Sequence, residues 1–154
     1  MRPWLVVLML AVALPAGAHH PFSQYYDASK PEVVTGVVAE IRIVNPHVVV
    51  IVDVSAPEGR KGRWGFEGFP PNTFSRGGVD LKTKLQPGTQ IMISGWPAKD
   101  PSARVFSGGK VTFPDKSTML FGGTPEEGDR WKCTTPGSNT PVPCAFKYPE
   151  VPPR

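Results

Sequence analysis

Along the middle of the chain, apolar residues recur at every second position, which is the period of a strand. Val33–Val44 is rich in β-branched residues and alternates. Val33, Thr35, Val37, Ala39, Ile41 and Ile43 share one face, and Glu40 and Arg42 lie on the other. The pattern predicts a first strand with its odd-numbered face buried. Gly36 within it predicts a bulge or a sharp bend. Asn45-Pro46 predicts a turn, because Pro pre-sets φ and Asn favours turn initiation. His47–Val54 then reads as a second strand, with Val48, Val50, Val52 and Val54 on one apolar face.

Ala56–Gly62 is a loop, and Arg63–Glu67 a short third strand with Trp64 and Phe66 on its apolar face. Pro70–Gly78 holds the one segment that reads as helix, a turn or two stopped by Gly77-Gly78. A tight turn at Leu85-Gln86-Pro87-Gly88 leads into a fourth strand, Thr89–Trp96. Ile91 and Ile93 face one side of it, Met92 and Trp96 the other. Ala103–Phe113 is a fifth strand, broken at Gly108-Gly109. After Gly123 alternation stops, and seven prolines fall in Thr124–Arg154. This predicts an extended tail held by Trp131, Phe146 and Tyr148.

Three strands, a short helix and two more strands, with a bend in the first, is the order of an OB-fold. The expected class is therefore all-β: a small five-stranded OB-like barrel with one short helix and a proline-rich C-terminal tail. An immunoglobulin-like sandwich needs about seven strands, and the pattern supplies five.

The N-terminus changes the picture. Arg2 precedes the apolar run Trp4–Leu14, then Pro15 and the small-residue site Ala16-Gly17-Ala18. This is the pattern of a cleaved export signal, and the run is too short for the roughly 20 residues of a membrane span. The expected organisation is a signal over 1–18, a barrel over 19–123 and a tail over 124–154, in a periplasmic or secreted protein. Cys133 and Cys144 are the only cysteines. In an oxidising compartment an even pair reads as a disulfide. The net charge of +4 is mild, and Arg60-Lys61-Gly62-Arg63 is the single basic cluster. That is not the concentrated basic face of a nucleic-acid binder.

Cleavage after Ala18 leaves His19-His20 at the start of the mature chain. An N-terminal histidine offers an amine and an imidazole together, a donor set suited to copper(II). His19 would bind through its amine and ring, and His47, in Asn45-Pro46-His47, would add a third nitrogen if the arm folds back. Alternatively the amine and the His20 ring chelate without His47. A third reading makes His47 a hairpin residue that bonds a loop carbonyl. Asp27 and Asp53 are candidate partners for a metal-bound imidazole. A second candidate surface is aromatic: Phe22, Tyr25, Tyr26, Trp64, Phe66 and Trp96 could line a groove. Trp64 and Phe66 read better as core, and Tyr25-Tyr26 as surface. No Ser sits in a nucleophile elbow, and Glu67 lacks a carboxylate partner for glycoside chemistry. A binding or accessory protein is favoured over an enzyme. A copper-dependent oxidoreductase using the same histidines and a metal-free envelope module are the alternatives.

The run His19-His20-Pro21-Phe22, with Thr35-Gly36-Val37-Val38, Asn45-Pro46-His47, Trp64-Gly65-Phe66-Glu67, Leu85-Gln86-Pro87-Gly88 and Gly95-Trp96-Pro97-Ala98-Lys99-Asp100, resembles a family of small exported bacterial proteins catalogued as a domain of unknown function. The resemblance spans about His19 to Gly123 and implies export and a β-rich domain. It brings no established activity. Pro21, where the family usually has a small residue, Gly77-Gly78 and the two-cysteine tail depart from the pattern.

Overall fold

The computed structural model describes residues 22–128 and 148–153. The expected signal over 1–18, His19, His20, Trp131, Cys133, Cys144 and Phe146 lie outside them. The chain builds α1 (Phe22–Tyr25), β1 (Glu32–Arg42), β2 (Val49–Ala56), β3 (Gly62–Glu67), α2 (Pro71–Arg76), α3 (Leu81–Lys84), β4 (Gln90–Pro97), β5 (Val105–Thr112), β6 (Thr118–Leu120) and α4 (Pro125–Gly128).

The sheet runs β3-β2-β1-β4-β5-β6, and a parallel pairing of β3 with β5 closes the first five strands into a barrel. This is the expected OB-like order, with β6 added to the outer side of β5. β1 is the hinge of the design. Its first half pairs with β4 and most of its length pairs with β2, so it must turn between two directions of sheet. It does so at two irregularities, next to Gly36 and between Val38 and Glu40. A Cβ on Gly36 would lie 2.5 Å from the Asp53 carbonyl oxygen, so no larger residue fits this crossing.

The same irregularity overturns one expectation. Val34 and Val38 face the core, while Val33 and Val37 are exposed. Ala39 is the extra residue of the bulge between Val38 and Glu40, and one extra residue switches the inward face. Ile41, an odd-numbered residue, accordingly packs on the core again. Val33–Val38 is apolar on both faces, so alternation alone could not choose between them.

The valine face of β2 is buried as expected, and so are Val49 and Ile51 on the other face. Ile91 and Ile93 point inward while Met92 is exposed. Phe74 from α2, Leu81 from α3 and Leu85 just after α3 join Phe66, Phe106 and Phe121 in one core cluster. Phe66 and Phe106 stack at 5.0 Å. Pro71–Arg76 is helical as expected, but it is not alone: α1, α3 and α4 are further helices of four residues each. A single turn carries no periodicity to read. The local signal for α3 is its cap, where the Asp80 side chain accepts from the Lys82 and Thr83 amides.

A second cluster lies outside the barrel wall. Phe22, Tyr26, Ala98 and Val105 form it, with Tyr25, Trp96, Tyr148 and Val151 packed against it. It brings both ends of the described chain to one place.

Candidate functional site

Glu67 ends β3 and is the one buried charged residue among the described residues, at 8% exposure. Removing a carboxylate from water is costly unless its oxygens are paired. Tyr26 supplies one partner: its hydroxyl donates to Glu67 Oε2. His47 faces the other oxygen, with Nε2 3.6 Å from Oε1.

The sequence accounts for how each residue arrives. His47 follows the Asn45-Pro46 turn and is separated from β2 by Val48 alone. The Gly68 amide donates to the Val48 carbonyl, and the Val48 amide to the Phe69 carbonyl. This backbone pair sets His47 beside the end of β3. His47 Nδ1 then lies 3.0 Å from the Gly68 carbonyl. A carbonyl can only accept, so Nδ1 carries the proton. In the neutral ring the lone pair is therefore on Nε2, the atom that faces Glu67.

Tyr26 is carried in by the N-terminal arm. Its amide closes α1 onto the Phe22 carbonyl, and the Asp27 amide donates to the Pro97 carbonyl. The Lys99 amide donates back to the Tyr25 carbonyl. Phe22 packs edge-on against Trp96 at 5.5 Å and tilts against Tyr26 at 5.5 Å. Burial, and then the charge of Glu67, holds the Tyr26 phenol well above its ordinary pKa of 10.0. Tyr26 is thus a fixed neutral donor.

Two donors facing each other at this distance suit a cation. Metal bonds of 2.0–2.2 Å to nitrogen and oxygen, at the angles of roughly 109–120° of tetrahedral and trigonal sites, place the donor atoms roughly 3.3–3.8 Å apart. The Nδ1 contact to a carbonyl is also the usual way a metal-binding imidazole is oriented. Among the described residues no group of three His, Cys, Asp or Glu side chains is assembled. A metal held by this pair would need a further donor from outside the described residues.

The structure revises several expectations. Tyr26 is buried at 1% exposure, so it is no surface residue. Its alternating neighbourhood is polar, and only the docking of the arm reveals it. Trp64 and Phe66 are core, as expected. The guanidinium groups of Arg60 and Arg104 each lie 5.1 Å from the Trp64 ring. Trp64 is therefore no open stacking platform. Asp53 forms a two-bond pair with Arg63, and Asp27 bonds Ser29 and Lys30. Neither is seen orienting His47; Gly68 does so. Glu67 was the residue missed. On β3 it shares its face with Gly65 and Arg63, which reads as a solvent face until the arm covers it.

The family comparison matches residues 7–107 to a family of unknown function, DUF6152. The chain belongs to that family. The match runs through β1–β4 into the start of β5 and includes His47, Glu67 and Tyr26. No curated protein and no solved structure matches.

Proposed function

We propose that this DUF6152 protein is an exported copper(II)-binding accessory protein. In this reading the amine and ring of His19, the Nε2 of His47 and the carboxylate of Glu67 share one metal. The observation that carries the reading is the aligned pair of His47 Nε2 and Glu67 Oε1, 3.6 Å apart on a ring oriented through Nδ1. The arm supplies the rest. His19 lies three residues before Phe22, a chain length of at most roughly 10 Å. Phe22 itself packs on Tyr26, whose hydroxyl is on Glu67. Nitrogen donors with one carboxylate suit copper(II) and half-neutralise its charge, and the 90° angles of a tetragonal site would draw the two atoms in from 3.6 Å to about 3 Å. The reading requires export and cleavage before His19, since an amide nitrogen in place of the amine would not bind in the same way.

The test is a copper(II) competition titration with electron paramagnetic resonance, on protein beginning at His19. The expected result is one copper with nitrogen coupling. His47→Ala, Glu67→Gln and one extra residue before His19 should each weaken binding by at least about ten-fold. If His47→Ala is silent and His20→Ala abolishes binding, the amine–His20 chelate replaces this site. Unchanged affinity in every variant leaves His47 as the pin of the β1–β2 hairpin and removes the metal.

A further inference from the structure

Residues 148–153, Tyr-Pro-Glu-Val-Pro-Pro, lie against the outside of the barrel, and the barrel is shaped to hold them. Two arginines, on the strands that flank β2, grip the segment in the same way. On β1, Arg42 spends Nε and Nη2 on the Glu40 carboxylate and donates Nη1 to the Glu150 carbonyl at 2.7 Å. On β3, Arg63 spends Nε and Nη2 on the Asp53 carboxylate and donates Nη1 to the Pro153 carbonyl at 3.3 Å. Each carboxylate fixes a planar fork and leaves Nη1 aimed outward as a donor. The two accepting carbonyls are three residues apart. In an extended polyproline helix, with three residues per turn, such carbonyls point the same way.

Between the two forks, Val151 sits over Gly65. A Cβ on Gly65 would lie 3.0 Å from Val151 Cγ2, so the missing side chain is the notch that admits the valine. At the other end, the Tyr148 hydroxyl donates to the Tyr25 carbonyl at 2.6 Å. The Tyr148 ring meets Tyr25 and Tyr26 edge-on, at 6.2 and 5.9 Å.

We propose that the outer face of β1–β2–β3 is a groove for an extended proline-containing peptide, and that the chain's own residues 148–153 fill it and clamp the N-terminal arm against the barrel. The groove reads backbone carbonyls at positions i and i+3 through Arg42 and Arg63. It reads a small branched side chain through Gly65. The proposal does not depend on copper.

Hydrogen exchange on the metal-free, full-length protein tests it. The reporters are the amides of Tyr26, Asp27 and Lys99, which hold the arm. Tyr148→Phe removes only the hydroxyl and should speed their exchange by roughly five-fold, the equivalent of one neutral hydrogen bond. Val151→Asp and the pair Arg42→Ala/Arg63→Ala should speed it further, with the amides of Val50 and Val52 at their original rates. A synthetic peptide of residues 148–153 at millimolar concentration should restore protection to the Val151→Asp variant. Arm amides that keep their rates in Tyr148→Phe and Val151→Asp overturn the clamp. Failure of the peptide to restore protection overturns the groove.

Discussion

Tyr26→Phe isolates the buried contact on which the site is built. The substitution keeps the ring, its packing on Phe22 and its burial, and removes one hydroxyl. Glu67 Oε2 then loses the phenol's hydrogen bond in a place where water has little access, since Tyr26 is 1% and Glu67 8% exposed. A hydrogen bond to a charged group contributes about 1.5–3 kcal/mol. Urea unfolding of the metal-free protein should therefore show a loss of that size, with an unchanged slope. The melting temperature should fall by about 5–10 °C for a domain of this size. Glu67→Gln supplies the control. It removes the charge while leaving an oxygen to accept from Tyr26, so on its own it should cost less. In the Tyr26→Phe background it should recover part of the loss, giving a coupling of at least about 1 kcal/mol. A Tyr26→Phe loss below about 0.5 kcal/mol, or strict additivity of the two changes, would refute the account of Glu67 as a carboxylate held by Tyr26.

Two further outcomes follow from the geometry. Gly36→Val should destabilise the barrel by about 3 kcal/mol or more, because its Cβ meets the Asp53 carbonyl rather than a movable side chain; a melting curve like the parent's would remove the crossing as a constraint. Asp27, bonded first by Ser29 and then by Lys30, has its carboxyl lowered from 3.8 to about 2. A lowered carboxyl stabilises the fold above its unfolded pKa, and that contribution fades as pH falls from about 4 toward 2. Carbon-detected NMR should find Asp27 titrating near 2, and a midpoint near 3.8 would show that the Ser29 and Lys30 bonds do not persist in solution.

The order of the strands was legible because β3 and β4 each present one clear apolar face and β2 an unbroken valine row, all bounded by Gly, Pro or Asn. The inward face of β1 was not, since Val33–Val38 is apolar on both sides and the deciding bulge at Ala39 has no residue signature. Half of the candidate site could be read. His47 stood out as a lone histidine after a turn, and the Trp-x-Phe-Glu strand was singled out with it. The pairing was hidden because Tyr26 and Glu67 are 41 residues apart and meet only when the arm packs on Ala98 and Val105. Polar residues near a chain end read as solvent-exposed until a second layer covers them. The short helices were illegible for a different reason: one turn is shorter than the period that identifies it.

Closure of the barrel also governs what can be added to its surface. In an open sheet the outermost strand offers a row of unused amides and carbonyls, and a visiting segment joins by extending the ladder. Here β3 and β5 satisfy each other across the seam, and among the described strands only β6, three residues long, borders no further strand. The backbone of β1–β3 has little left to offer a newcomer. A segment that settles there must be recognised through side chains, and it forfeits least if it brings few amide hydrogens of its own. Proline has none. The composition of residues 148–153 is in this sense a complement to ring closure: a wall without an edge selects a ligand that needs none.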